Sequence, residues 1–314
     1  MRTHINVADL TQNVDELIDR IDVLIRKEED DLEENLQAAG FVEPKKAVEV
    51  IGILEDEWTE AFNTDCDELL DALEKALDLD DFVENIWPGI NSSEDLRNAI
   101  YDTFFSRFKD MLETSVVGFL AGEDPDLLSD ELGILSEPAK AFVERWSGEL
   151  ADLMNLSTRN QIENILINGQ EEHKSVAQVA QDIADSGIRD AGYKARRAAI
   201  TEVLRAESYG QLEAMRQNPG IIEKEWVHTG THKNKPRENH KAISGQRVAV
   251  NEPFSLSGYA PMCPRDTNLP ASESINCHCM MKQIRDPNWS NYTYEEKQAL
   301  REARMEELNA AEAF

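Results

Sequence analysis

At 314 residues the chain is long enough for two domains, and a hydrophobic content of 41% supports a buried core. No apolar stretch approaches the roughly 18 to 20 residues that cross a bilayer, and the N-terminus lacks the basic-then-apolar order of a signal peptide, so we expect a chain made in the cytosol with no membrane partner. The net charge of −30 is unevenly placed: residues 1–156 hold 40 Asp+Glu against 12 Lys+Arg, a net of −28, and residues 157–314 hold 22 against 20, a net of −2. A half that negative repels phosphate backbones and argues against nucleic-acid binding there, leaving a solvated acidic surface or a dock for a basic protein.

In chain order, Leu10, Val14, Leu17, Ile21 and Leu24 recur at spacings of four and three and predict an N-terminal helical seam. Pro44 suits the first turn of a second helix whose apolar stripe runs through Val48, Ile51, Leu54, Trp58 and Phe62 and on to Leu69, Leu73 and Leu77. Ser92-Ser93 are placed to cap a long helix carrying Leu96, Ile100, Phe104, Phe105, Phe108, Met111 and Leu112. The stretch from Gly122 to Pro138 reads as a connection, after which Leu150, Leu153 and Leu156 open a further helix. Ser175 with Gln178 predicts a capping box, and the run from Lys194 to Glu207, rich in good helix formers, predicts a helix closed by Pro219-Gly220. Within that run, Glu202 and Arg205 are three apart and predict an ion pair.

Beyond Gly220 helical periodicity stops. Short apolar groups such as Trp226-Val227 and Val248-Ala249-Val250, set among Pro, Gly, Ser and Asn, predict a small β-rich module. Thr293 with Glu296 predicts the cap of a last helix, from about Tyr294 to Ala311. The expected fold class is α+β, mainly α: an elongated helical N-terminal body, a β-rich module, and a C-terminal helix. The expected divisions are an acidic helical docking region over 1–121, a hinge and connecting helix over 122–156, a helical part over 157–220, the β-rich module over 221–286 and the C-terminal helix over 287–314.

Three of the four cysteines and four of the six histidines fall between residues 228 and 279. Cys277 and Cys279 are two apart, so on an extended strand both thiols share one face. Cys263 upstream can supply a third sulfur, and one of His228, His232 and His240 a nitrogen, for a tetrahedral structural zinc; His240 is the chosen candidate. Reduced cysteines packing a small core, or a disulfide or catalytic thiol, stay open at this stage. Lys233, Lys235, Arg237, Lys241 and Arg247 form the module's one basic stretch, either a solvated loop or a contact with DNA or an acidic partner. No residue is assigned a catalytic role; Glu223-Lys224-Glu225 only superficially resembles a paired-glutamate motif.

The ordered string Trp226 to Thr229, Arg237-Glu238-Asn239-His240, Gly245-Gln246-Arg247-Val248, Glu252-Pro253-Phe254 and Asn276-Cys277-His278-Cys279, preceded by the Arg196-Arg197 to Thr201-Glu202 helix, resembles the Mu F-like, head-morphogenesis family of minor head proteins of tailed bacteriophages. The resemblance covers roughly residues 158–284. It departs from the family pattern at His278, where arginine is usual, and at Cys263, where glycine or proline is common. The resemblance implies a non-enzymatic minor capsid protein, located inside the head near the portal after assembly in the host cytoplasm. The implied partners are the portal protein, other head proteins and, through the C-terminal module, packaged DNA, with ejection alongside that DNA as a further implication. Related modules occur fused to toxin domains; the 35 residues after Cys279 lead us to expect no such domain here. The alternative reading is a metal-dependent nuclease or hydrolase using the Cys/His module.

Overall fold

The structure is a computed structural model, and it describes residues 32–128, 133–188, 192–229, 237–275 and 277–310. The seam from Leu10 to Leu24 lies outside the described residues, as do Lys233, Lys235, His232 and Asn276.

Helix α1 (Leu32–Ala39) leads into α2 (Pro44–Lys75), which starts on its proline as expected and buries Ile51, Leu54, Trp58, Phe62, Leu69 and Leu73. The stripe does not reach Leu77. The helix ends at Lys75, and Leu77 follows the extended Ala76 cap at 90% exposure. Short helical pieces over 79–91 connect to α3 (Asp95–Glu123), whose N-cap position is Glu94 rather than the expected Ser92-Ser93 and makes no side-chain cap bond, although Ser93 Oγ, just before it, accepts the Asp95 N–H. The long α4 (Glu137–Glu171) is capped by Ser136, which receives the Ala139 amide. Leu150 on α4 is buried as expected, and the packed face runs through Trp146, Leu150, Ile162 and Leu166, whereas Leu153 and Leu156 are each 56% exposed and lie on the solvent side. Helix α5 (Val176–Ala184) opens on the Ser175–Gln178 capping box, with both reciprocal bonds made.

Helix α6 (Gly192–Gln217) is the axis of the molecule: every residue from Thr201 to Met215 is buried. A helix enclosed all round is ordinarily apolar. This one carries Thr201, Glu202, Arg205, Glu207, Ser208, Gln211 and Glu213 in the interior, and most of them find partners, Thr201 on its own helix and the others largely on neighbouring elements. Glu202 receives hydrogen bonds from Trp146 Nε1 at 2.7 Å and Arg205 Nε at 2.9 Å, and the Arg205 guanidinium lies 4.6 Å from the centre of the Trp146 ring. Glu207 accepts from Val42 N at 3.1 Å and from Ser115 Oγ. Glu213 accepts from Ser136 N at 3.0 Å. The expected Glu202–Arg205 pair is therefore present, and it is buried.

Three strands follow: β1 (Ile221–Val227), β2 (Arg247–Ala249) and β3 (Met280–Arg285), antiparallel in the order β2-β1-β3. Two short helices sit in the connections, α7 (Glu238–Ala242) and α8 (Ala271–Ser274), and α9 (Tyr294–Ala310) closes the described chain behind the Thr293–Glu296 capping box. The sheet is joined to the helices by α6, since Gln211 bonds both the carbonyl and the amide of Met281, at 2.7 and 3.3 Å. One hydrophobic cluster accordingly runs from Leu36 and Trp58 through Leu112, Phe142 and Leu212 to Trp226. A second, smaller one gathers Cys66, Leu69, Phe82, Ile162, Leu166 and Val179 where α5 packs on α2 and α4.

Candidate metal centre

Strand β1 brings Trp226 into the core with Lys224 beside it, while Glu225 turns outward to pair with Arg247 across the β1–β2 register at 2.6 Å. Lys224 is fully buried, donates to the Met262 carbonyl at 2.8 Å and lies 5.2 Å from the centre of the Phe254 ring. Burial pushes its amine down to about 8.

Helix α7 presents His240 into this same corner, 1% exposed, with the Trp226 ring set edge-on to the imidazole at 5.7 Å. Glu273 on α8 accepts from His240 Nε2 at 2.8 Å and is itself held by Asn239. The proton on Nε2 leaves the Nδ1 lone pair free, and Nδ1 lies 3.5 Å from the sulfurs of both Cys277 and Cys279. His240, Cys277 and Cys279 thus form a buried group whose ligand atoms all lie within 4.8 Å of one another, the one such group among the described residues.

The loop that carries the cysteines is fixed from behind by Arg265. Its Nη1 donates to the carbonyls of Cys277 at 2.5 Å and Cys279 at 3.0 Å, and its Nη2 donates to Ser208 on α6 at 2.5 Å. Arg265 adopts a left-handed backbone with φ of 60°, a conformation that a side chain of this size holds only where its contacts demand it. Arg237 adds a bond to the Ile275 carbonyl at 2.6 Å.

The electrostatics favour a soft ligand pair. The hydrogen bond from Cys279, aided by His240, pulls the Cys277 thiol well below its ordinary value despite burial. The same Cys277–Cys279 bond, together with burial, pushes Cys279 up, so the two sulfurs share one proton. Burial opposes protonation of His240, but bonds to Cys277 and Glu273 raise it on balance. His240, Cys277 and Cys279 would hold a divalent ion there, the two thiolates supplying its charge balance and the imidazole a lone pair.

Of the residues expected at a metal, His240, Cys277 and Cys279 converge and Cys263 does not join them. Cys263 is fully buried in the hydrophobic cluster, and burial pushes its thiol far up, the behaviour of a small core group. His278 stands outside the group as well, its carbonyl taken by the Thr229 hydroxyl. In the basic stretch, Arg247 pairs with Glu225, Lys241 with Glu238 at 3.0 Å, and Arg237 lies 3.9 Å from Glu273. Sequence reasoning missed Arg265 and Glu273. An arginine after Cys-Pro and a glutamate in a Ser-rich helix carry no motif, and only the chain's return brings them to the site.

Comparison with known proteins places this site in a family. The model of the Phage Mu protein F like family matches residues 157–282, the span from the second half of α4 to β3 that contains α6, the sheet and all three clustered residues. The chain is 33% identical over 210 residues to the uncharacterized protein YqbB of Bacillus subtilis, covering 63% of this chain and 67% of that protein. It is 34% identical over 131 residues to the NAD(+)–arginine ADP-ribosyltransferase EFV of Enterococcus faecalis, covering 40% of this chain and 26% of that protein, so it spans about a quarter of the enzyme's length. No solved structure matches. With the matched span lying on the helix-and-sheet unit that builds the cluster, and with YqbB aligned well outside that span, the chain belongs to the Phage Mu protein F like family.

Proposed function

We propose that the protein is a non-enzymatic minor capsid protein acting in phage head morphogenesis, held inside the head near the portal and leaving with the DNA on ejection. The family match over residues 157–282 carries this reading. The acidic half supports a protein partner, the portal or another head protein, because 40 acidic against 12 basic residues over 1–156 repel packaged DNA. The basic stretch from Lys233 to Arg247 is the part of the chain suited to touching DNA. Mass spectrometry of purified virions, combined with cryo-electron microscopy of the portal vertex, tests the reading. Peptides of this chain in virions and density for it at the vertex are expected; its absence from virions that contain the portal overturns the proposal.

The same reading gives the His240, Cys277 and Cys279 cluster a structural zinc. One observation favours a second reading: the group of mutually close ligand atoms numbers three among the described residues, the number of protein ligands that a catalytic zinc uses, which would suit a metal-dependent hydrolase. The two differ on chelation. A structural ion takes the fold with it, whereas a catalytic ion is removed with the fold intact and activity lost.

A further inference from the structure

We propose that His228 closes the metal shell, making the centre a Cys2His2 zinc site of His228, His240, Cys277 and Cys279, with Cys263 excluded. The inference rests on the zinc reading above. It adds which atoms hold the ion and that none is left open for water.

The carrying observation is a set of three matching distances. With Zn–S of about 2.3 Å and Zn–N of about 2.0 to 2.1 Å, a tetrahedral angle puts nitrogen and sulfur ligands about 3.6 Å apart. His240 Nδ1 to Cys277 Sγ, His240 Nδ1 to Cys279 Sγ and His228 Nδ1 to Cys279 Sγ are each 3.5 Å. Three of the four nitrogen–sulfur edges of such a tetrahedron are therefore at length. His228 stands outside the group whose members all lie within 4.8 Å, so the last edges close by a swing of its ring toward Cys277.

Its position permits that swing. His228 immediately follows β1, is half-buried, and is held through its amide, which donates to Ser244 Oγ at 3.1 Å, so the ring can turn about its side-chain bonds without moving the backbone. His240 shows the outer support expected of a ligand, its far nitrogen donating to Glu273 so that Nδ1 faces the ion. A Cys2His2 shell also balances charge: two thiolates neutralise a divalent ion, whereas Cys263 as a third thiolate would bury one negative charge in excess.

The ion would clip the end of β1 to the start of β3 and to α7, three pieces distant in sequence. That is the role a small sheet needs filled.

Cobalt substitution of the purified full-length chain tests the ligand set, because sulfur-to-cobalt charge-transfer intensity counts thiolates and visible bands report tetrahedral geometry. Wild type is expected to bind one ion with a two-thiolate spectrum, and Cys263→Ala is expected to leave spectrum and affinity unchanged. His228→Ala is expected to weaken binding at least tenfold and shift the visible bands toward a five-coordinate, water-bound form. His228→Cys keeps the test valid should the alanine variant misfold, since it is expected to gain a third thiolate in the charge-transfer band. Loss of one thiolate's intensity in Cys263→Ala, or unchanged binding and spectra in both His228 variants, overturns this ligand assignment while sparing the zinc reading. A wild-type chain that takes up neither cobalt nor zinc under reducing conditions overturns both.

Discussion

At the scale of single residues, the interior is governed by charged groups whose partners come from distant parts of the chain. Arg265 bonds two carbonyls of the cysteine loop and a hydroxyl on α6, so removing its guanidinium strands all three acceptors. Arg265→Met should cost on the order of 3 kcal/mol, read as a lowered urea midpoint with an unchanged slope. Glu207 is the converse case. Burial raises its carboxyl above the ordinary value, only partly offset by bonds from Ser115 and Val42. A group raised in the folded state favours folding most when protonated, so its contribution is present below the unfolded carboxyl value and is lost as pH rises through the native one. Glu207→Gln, which keeps the hydrogen-bonding shape without the charge, should match wild type in acid and exceed it in stability near neutral pH. Urea titrations of both proteins across pH 4 to 8 check the sign, and a difference that stays constant with pH would refute it.

At the scale of elements, closeness of approach decides. Gly210 on α6 sits where a Cβ would lie 2.5 Å from Ser115 Cβ and 2.9 Å from the Leu112 carbonyl on α3. Alanine ordinarily gains about 1 kcal/mol over glycine inside a helix. Here the clash involves backbone and costs about 1 to 3 kcal/mol, so Gly210→Ala should destabilise, measurable as a lowered thermal midpoint. Much at this scale was legible in the sequence. The Pro44 start, the Ser175 and Thr293 boxes and the shift to strands after Gly220 all rest on local chemistry, which short stretches express fully. The stripe through Leu77 failed because the helix stops at Lys75, and Leu153 and Leu156 failed because periodicity names a face without showing whether another element covers it. Helix α6 was legible as a helix but not as a buried one, because its Glu, Arg, Ser and Gln look like surface residues until their partners are known. The site divided the same way. Cys277 and Cys279 declared themselves by spacing, and His240 by its motif. Cys263 lies apart from that group, because proximity in sequence does not give direction in space.

At the scale of the whole molecule, the acidic helices and the β-rich module share α6 and one hydrophobic cluster. Helix α9 ties them further. Lys297 pairs with Asp124 at 2.7 Å, Trp289 Nε1 donates to the same carboxylate at 2.8 Å, and Arg301 reaches both Gln217 on α6 and the Leu127 carbonyl. The described chain should therefore unfold in one calorimetric transition, and two separated peaks would show that the halves fold independently. Ending the chain after Asp286 removes every one of those ties and should lower the midpoint of that single transition.

The tight crossing of α3 and α6 has a consequence for inheritance. Positions 115 and 210 lie far apart in the chain yet share one small space, so neither is free to enlarge alone. Ser115→Gly lifts the Cβ–Cβ contact but leaves the Leu112 carbonyl 2.9 Å from the new methyl, so it should restore only part of the thermal midpoint lost in Gly210→Ala. The space between two helices is in this sense a single heritable trait written at two distant places in the gene.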